Sequence, residues 1–229
     1  FLSTPIEEAV VDIVIAKWLI RNIAYQNGIL ATFTPKIEEG YAGSGMHFHL
    51  KLIKDGKSVM VDEKGDLTIH TKKLIGGLLH FADSLTAFGN TVPSSYLRLV
   101  PNMEAPTQFF WSDANRKAMV RVPLGWSKTS NLAEVVNPGE KSVPMKIDSM
   151  QTIELRVPDG SANVHQTLAG IAMAAEYGFT NSEESLKLTD KLYFKGKTKE
   201  ENVDTDFPSL PATCADSADI LEKKRELYE

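Results

Sequence analysis

Three short stretches share a pattern that leaves few folds open. In Met46-His47-Phe48-His49-Leu50-Lys51-Leu52 every second residue is apolar, and the residues between are two histidines and a lysine. In Ile153-Glu154-Leu155-Arg156-Val157 the alternation places Glu154 and Arg156 together, and in Val120-Arg121-Val122 it isolates Arg121. An extended chain turns successive side chains to opposite faces. Each stretch therefore predicts a strand with one apolar face and one face of imidazole, carboxylate or guanidinium. A core has little use for the second face. If the strands share a sheet, those faces line one cavity. Cations, a carboxylate and one or two imidazoles in one cavity suit a magnesium nucleotide with an anionic substrate.

Helical signals surround these strands. Thr4-Pro5-Ile6-Glu7 reads as a capping box with proline in the first turn, followed by apolar residues at helical spacing up to Gly28. The spacing predicts a second helix over 72–88, a third from about Ser161 to Gly178, a short one over 184–193, and a last one over 217–228. ATFTPK at 31–36 reads as a strand, and Asp55-Gly56 as a hairpin turn. Residues 89–108 hold three prolines and read as loop, while FFWSD and KAMVRVPLGW read as two more strands. The polar stretch at about 127–148 reads as a surface insertion. Strand hairpins followed by long helices predict α+β, with an antiparallel sheet flanked by helices.

Composition narrows the functional classes. At 229 residues and 42% hydrophobic content there is enough chain for a substantial core. A net charge of −5 gives no field toward nucleic acid or a membrane surface, and no apolar run reaches the length of a span. Cys214, the single cysteine, fits a reducing, cytoplasmic setting. Four of the six arginines, Arg98, Arg116, Arg121 and Arg156, lie mid-chain in apolar or strand-like contexts. There the planar fork of arginine suits carboxylate or phosphate. From spacing alone, Arg98 and Arg116 could instead pair with Glu104 and Asp113. His70, His80 and His165 read as structural or surface residues, Trp18, Trp111 and Trp126 as core or interface, and LEKKRELYE as a solvated helix face.

The blocks GSGMHFHL, SYLRLVPNMEAP, the N-R-x-x-x-x-R spacing from Asn115 to Arg121, and ELRVPDGSAN follow one another in an order that resembles the later part of the glutamine synthetase catalytic domain. ATFTPK is similar to that family's ATFMPKP, and the resemblance runs from about residue 8 to 178 and more weakly to the C-terminus. It implies part of the glutamine synthetase catalytic (guanidino-kinase-like) fold, with a curved sheet. The implied activity is ATP-dependent ligation of ammonia to the γ-carboxylate of glutamate through γ-glutamyl phosphate. The cofactors would be ATP and Mg2+ or Mn2+, and the full-length protein a ring homo-oligomer.

By that resemblance His47 and Glu154 are metal ligands, and His49 contacts the nucleotide. Arg98 and Arg156 hold glutamate, with Gly43 lining its pocket. Arg116 and Arg121 clamp phosphate, and Arg156 lies near the transferred group. Glu104 is a flap residue that shields the acyl phosphate and helps deprotonate ammonium. Ala42, Lys51 and Thr152 depart from the family's usual Asn, Ser and Arg. The chain begins Phe-Leu-Ser-Thr without methionine, which reads as a fragment starting after the family's N-terminal domain and first catalytic strands. Such a fragment is expected to be a poor ligase by itself. Two other readings stay open: a γ-glutamyl ligase for another amine, and a binding or regulatory module of the same fold. The intact arginines and glutamates weigh against the second.

Overall fold

The computed structural model describes residues 3–113, 115–123, 137, 139, 150–195 and 207–229. The expected insertion at 127–148 lies almost wholly outside the described residues, as does Trp126. In chain order the elements are α1 (Ile6–Gln26), β1 (Phe48–Leu50), β2 (Ile53–Lys54), β3 (Lys57–Ser58), α2 (Ile69–His80), α3 (Ala82–Gly89), α4 (Pro93–Arg98), β4 (Trp111–Asp113), β5 (Val120–Val122), β6 (Ile153–Leu155), α5 (Val164–Thr180), α6 (Ser182–Lys191) and α7 (Cys214–Lys223). A 3-10 turn over Arg225–Tyr228 follows. The architecture is α+β, as expected. The main sheet runs β1-β6-β5-β4, and β2-β3 form a separate hairpin. Its β1–β6 and β5–β6 pairings are antiparallel, while β4–β5 at the edge is parallel. Among the described residues no helix is long and apolar enough to cross a membrane.

Local chemistry explains most elements. Thr68 caps α2 by accepting the Thr71 amide at 3.3 Å, so the helix starts at 69 rather than 72. It stops at Phe81, where the backbone leaves helical ψ and the ring is buried edge-on to Tyr177 and Tyr228. The expected single helix over 72–88 is thus two. Asp55 and Gly56, at φ 52° and 74°, make the two-residue turn of the β2–β3 hairpin. Asn163 caps α5 by accepting the Gln166 amide at 3.2 Å.

Several expectations fail for physical reasons. Pro93 does not keep its segment a loop; it occupies the first turn of α4, where its missing N–H costs nothing. Gly178 does not end α5 but lies inside it, where a Cβ would overlap the Lys73 carbonyl oxygen of α2. Residues 31–36 form no strand; the Pro35 carbonyl accepts the Ser44 amide across a loop. The capping box at Thr4 does not form, and α1 starts after Pro5 without a side-chain cap. Of the core-or-interface expectation for Trp18 only the core half fails, since the ring is 60% exposed on α1. The C-terminal charge run is only partly solvated, since Lys224 pairs with Asp83 at 2.6 Å and Tyr228 packs on Phe81 and Phe88.

The core joins the apolar face of the sheet to α2, α3 and α5. Phe48, Val120, Leu155, Leu74, Ile75, Leu78, Leu85, Leu168 and Ile171 belong to one buried cluster. On its flank His80 stacks on Tyr177 at 4.1 Å, and Tyr177 donates to Glu184 at 2.8 Å. Burial pushes the His80 imidazole below its usual 6.5, against the pull of Glu184 and Asp83 and with the help of Lys224. The unfolded chain therefore binds a proton there that the folded chain refuses, and stability falls as pH drops below about 6.5. Urea titrations at pH 7.5 and 5.5 are expected to show a smaller pH dependence in His80→Gln than in the unsubstituted chain.

Candidate active site

Strand register assembles the site. On β6, Glu154 lies opposite His49 of β1 on one side and Arg121 of β5 on the other. Ser112 of β4 lies opposite Arg121. Cross-strand partners share a face, so His49, Glu154, Arg121 and Ser112 form one polar row. Phe48, Leu155, Val120 and Trp111 form the apolar row behind it. The three strands whose alternation stands out in the sequence are thus neighbours.

Glu154 is the focus of that row and is 3% exposed. His47 Nδ1 hydrogen-bonds its Oε1 at 2.7 Å, and Arg156 Nε stands 3.5 Å from the same oxygen. His49 Nε2 is 4.0 Å away, and its Nδ1 lies 3.1 Å from Thr152 Oγ1. Arg121 Nε approaches Glu154 Oε2 to 2.6 Å without hydrogen-bond geometry, so the contact is a charge pair and both atoms remain unsatisfied. Burial pushes the Glu154 carboxyl up, but the His47 hydrogen bond and the charges of Arg121, His47 and Arg156 outweigh it and hold it below its usual value. Burial likewise lowers His49, which Glu154 opposes and Arg121 and His47 reinforce.

Arg156 is also lowered by burial, with Glu154 pulling it back up. Its Nη2 donates to the Glu104 carbonyl at 3.3 Å, while Nε and Nη1 are buried without a hydrogen-bond partner. Glu104 itself adopts φ 55°, a left-handed conformation rare outside glycine and concentrated at functional sites. Its side chain is about half exposed and meets Arg116 at 3.6 Å. Arg116 thus pairs with Glu104 and not with Asp113, which accepts from the Tyr193 hydroxyl at 2.8 Å.

Arg98 stands behind this group, 2% exposed. It does not pair with Glu104; its guanidinium donates to the carbonyls of Arg156, Val157 and Pro158 at 3.0, 2.7 and 3.5 Å. Burial pushes it down to about 10, against the charge of Asp159, so it stays a cation at neutral pH. A Cβ at Gly43 would overlap the Pro35 carbonyl and press on Arg98. A Cβ at Gly45 would lie 2.5 Å from Arg98 Nη2 and 2.6 Å from His47 Nε2. Sequence reasoning passed over Gly45, Asn90 and Asp159, and also Lys36, a 7%-exposed lysine that donates to the Tyr41 carbonyl.

Guanidinium groups outnumber carboxylates here, and Arg156 keeps its buried Nη1 without an acceptor. Such a site is built to take an anion. For a cation, His47 Nδ1 and Glu154 Oε1, 2.7 Å apart, fit one edge of a small octahedral shell, whose ligand spacing is roughly 3 Å. Among the described residues no group of three or more His, Cys, Asp or Glu side chains could hold a metal. The pair fits part of a cation's shell and leaves its remaining positions to other ligands.

An α+β domain with guanidinium and imidazole groups gathered around a buried carboxylate on one sheet face is the class that fold and site define. The family model described as glutamine synthetase, catalytic domain, matches residues 4–229. A glutamine synthetase of Mycobacterium bovis is 37% identical over 217 residues, covering 94% of this chain and 41% of the relative. One of Pyrococcus abyssi is 34% identical over 221 residues, covering 95% and 44%. The cryo-EM structure of Plasmodium falciparum glutamine synthetase superimposes with a TM-score of 0.74 at 21% identity, covering 97% of this chain and 47% of that one. The chain belongs to the glutamine synthetase family. It spans less than half the length of these relatives.

Proposed function

We propose that this chain is a segment of a larger glutamate–ammonia ligase and supplies much of its phosphoryl-transfer surface. The observation that carries the reading is the convergence of His47, His49, Arg121 and Arg156 on one buried carboxylate, Glu154. In the reaction the glutamate γ-carboxylate takes the γ-phosphoryl of ATP. Ammonia then attacks the acyl phosphate, and phosphate leaves.

Phosphoryl transfer asks mostly for positioning and charge neutralisation. Arg121 and Arg116 offer forks to the phosphates. Arg156 keeps its Nη1 unsatisfied for the transferred group or the substrate carboxylate. Arg98 stands beside it over Gly45, and Gly43 closes the same wall. His47 and Glu154 would hold a magnesium or manganese ion, and His49 would face the nucleotide. When bound, that ion supplies positive charge that neutralises phosphate oxygens. Glu104 at the rim shields the site from water and takes the proton that ammonium must lose. The same reading carries a ring homo-oligomer and a cytoplasmic setting, with which a lone Cys214 agrees.

Calorimetric titration of magnesium-ATP tests this. His47→Ala is expected to weaken binding about 10- to 100-fold, the range for loss of a group that orients a metal site. Unchanged binding would remove the reading. The 229-residue chain given ATP, magnesium, glutamate and ammonia is expected to release phosphate far below an enzymatic rate; turnover near that of the parent enzyme would show that it is no mere segment.

A further inference from the structure

Arg156 is placed only in part by its own side-chain contacts. Its Nη1 has no partner, its Nε stands 3.5 Å from Glu154 Oε1 in a charge pair, and its Nη2 makes one long bond to a backbone carbonyl. A side chain that keeps donors free for a ligand must be held from its backbone. The carbonyls of 156, 157 and 158 are all taken. Arg98 reaches all three, Asn90 Nδ2 donates to the Val157 carbonyl at 3.0 Å, and the Met46 amide donates to Pro158 at 2.9 Å.

Behind them stands Asp159, with no exposed surface. Its Oδ2 accepts the Asn90 amide at 2.8 Å, and its Oδ1 accepts the Ser161 amide at 2.8 Å. Its backbone bridges to Gly45, two residues before His47, and its own amide donates to Gly89 at 3.1 Å. A buried carboxylate is costly unless hydrogen-bonded and charge-compensated. Here two amides bond it, and the buried Arg98 cation feels its charge. Asp159 thus ties together the backbone that carries Arg156 and the backbone that carries His47.

We propose that Asp159 and Asn90 are positioning residues, which through Arg98 and the carbonyls of 156–158 fix the Arg156 guanidinium relative to His47 for an anionic, phosphorylated substrate. The inference rests on the ligase reading for its substrate, not for its geometry. A displacement of about 1 Å at such a group lowers turnover about 100-fold.

Two readouts test it. The first is the Nε–Hε spectrum of the 229-residue chain labelled at arginine, with Arg98 and Arg156 assigned from their lysine variants. In Asp159→Asn the Arg156 and Arg98 signals are expected to shift or broaden while that of exposed Arg225 stays in place. If Asp159→Asn does not fold, Asn90→Ser removes the bridge without changing charge and is expected to move the same two signals. An unmoved Arg156 signal in the folded variant overturns the proposal. The second is a double-substitution cycle in the full-length enzyme. Asp159→Asn is expected to lower kcat/KM about 10- to 100-fold alone, chiefly through kcat, but less than about threefold in an Arg156→Lys background. Full additivity overturns the proposal. Absence of glutamate-dependent phosphate release in the unsubstituted enzyme sinks the ligase reading, and the spectrum then decides the positioning role by itself.

Discussion

Glu154→Gln is expected to be the most damaging conservative substitution in the chain. The amide keeps the shape of the side chain and removes its charge. Arg121, Arg156 and His47 then stand around a buried neutral group, at the 2.6, 3.5 and 2.7 Å that the carboxylate now occupies. Removing one partner of a buried ion pair leaves the others uncompensated, at a cost of about 3–5 kcal/mol. The carboxylate is ionised over the working range, because its neighbours hold its pKa low. The loss is therefore present at neutral pH and shrinks as acid protonates the unsubstituted protein. Activity of the full-length enzyme is expected to fall about 1,000-fold, as when a preorganised charge is removed from a transition state. Urea unfolding and phosphate release measure the two effects. Stability within about 1 kcal/mol of the unsubstituted chain would show that the row is not mutually neutralised.

The second large effect is far from the site. Gly77 of α2 faces α5 so closely that a Cβ there would overlap the Ala174 carbonyl oxygen. Gly76 does the same toward the Ser185 carbonyl of α6, and Gly178 toward Lys73. The added atom would meet backbone in every case, so no rotamer change can relieve it. Gly77→Ala is expected to destabilise by about 3 kcal/mol through overpacking, although alanine is the better helix former by about 1 kcal/mol. For a chain of this size the melting temperature should drop about 6–12 °C. Calorimetry giving an unchanged midpoint would mean that α2 and α5 are not in the contact described.

Alternation made β1, β5 and β6 legible, because the two-residue period is local and each strand carries its own pattern. Their order in the sheet is not local: nothing within MHFHLKL or VRV states that both flank β6 with Glu154 between them. The familiar blocks supplied that grouping. Pro93 and Gly178 misled for a common reason, since each is a helix breaker by propensity and position or packing overrode it. The parallel β4–β5 pair could not be read, because it depends on a path through space rather than on residue type. Asp159 was overlooked because the aspartate of a VPD turn looks like surface chemistry. Only the structure shows it fully enclosed.

Helix α1 turns one side of Ile6, Val10 and Ile13 toward the core, yet buries no residue fully. Val11, Ile15, Trp18, Leu19 and Ile23 meet water instead, each more than 40% exposed. Water penalises that greasy strip by about 25 cal/mol for every Å² it wets. Much of the apolar surface that the described residues leave exposed is therefore carried by one helix that contributes no group to the cluster around Glu154.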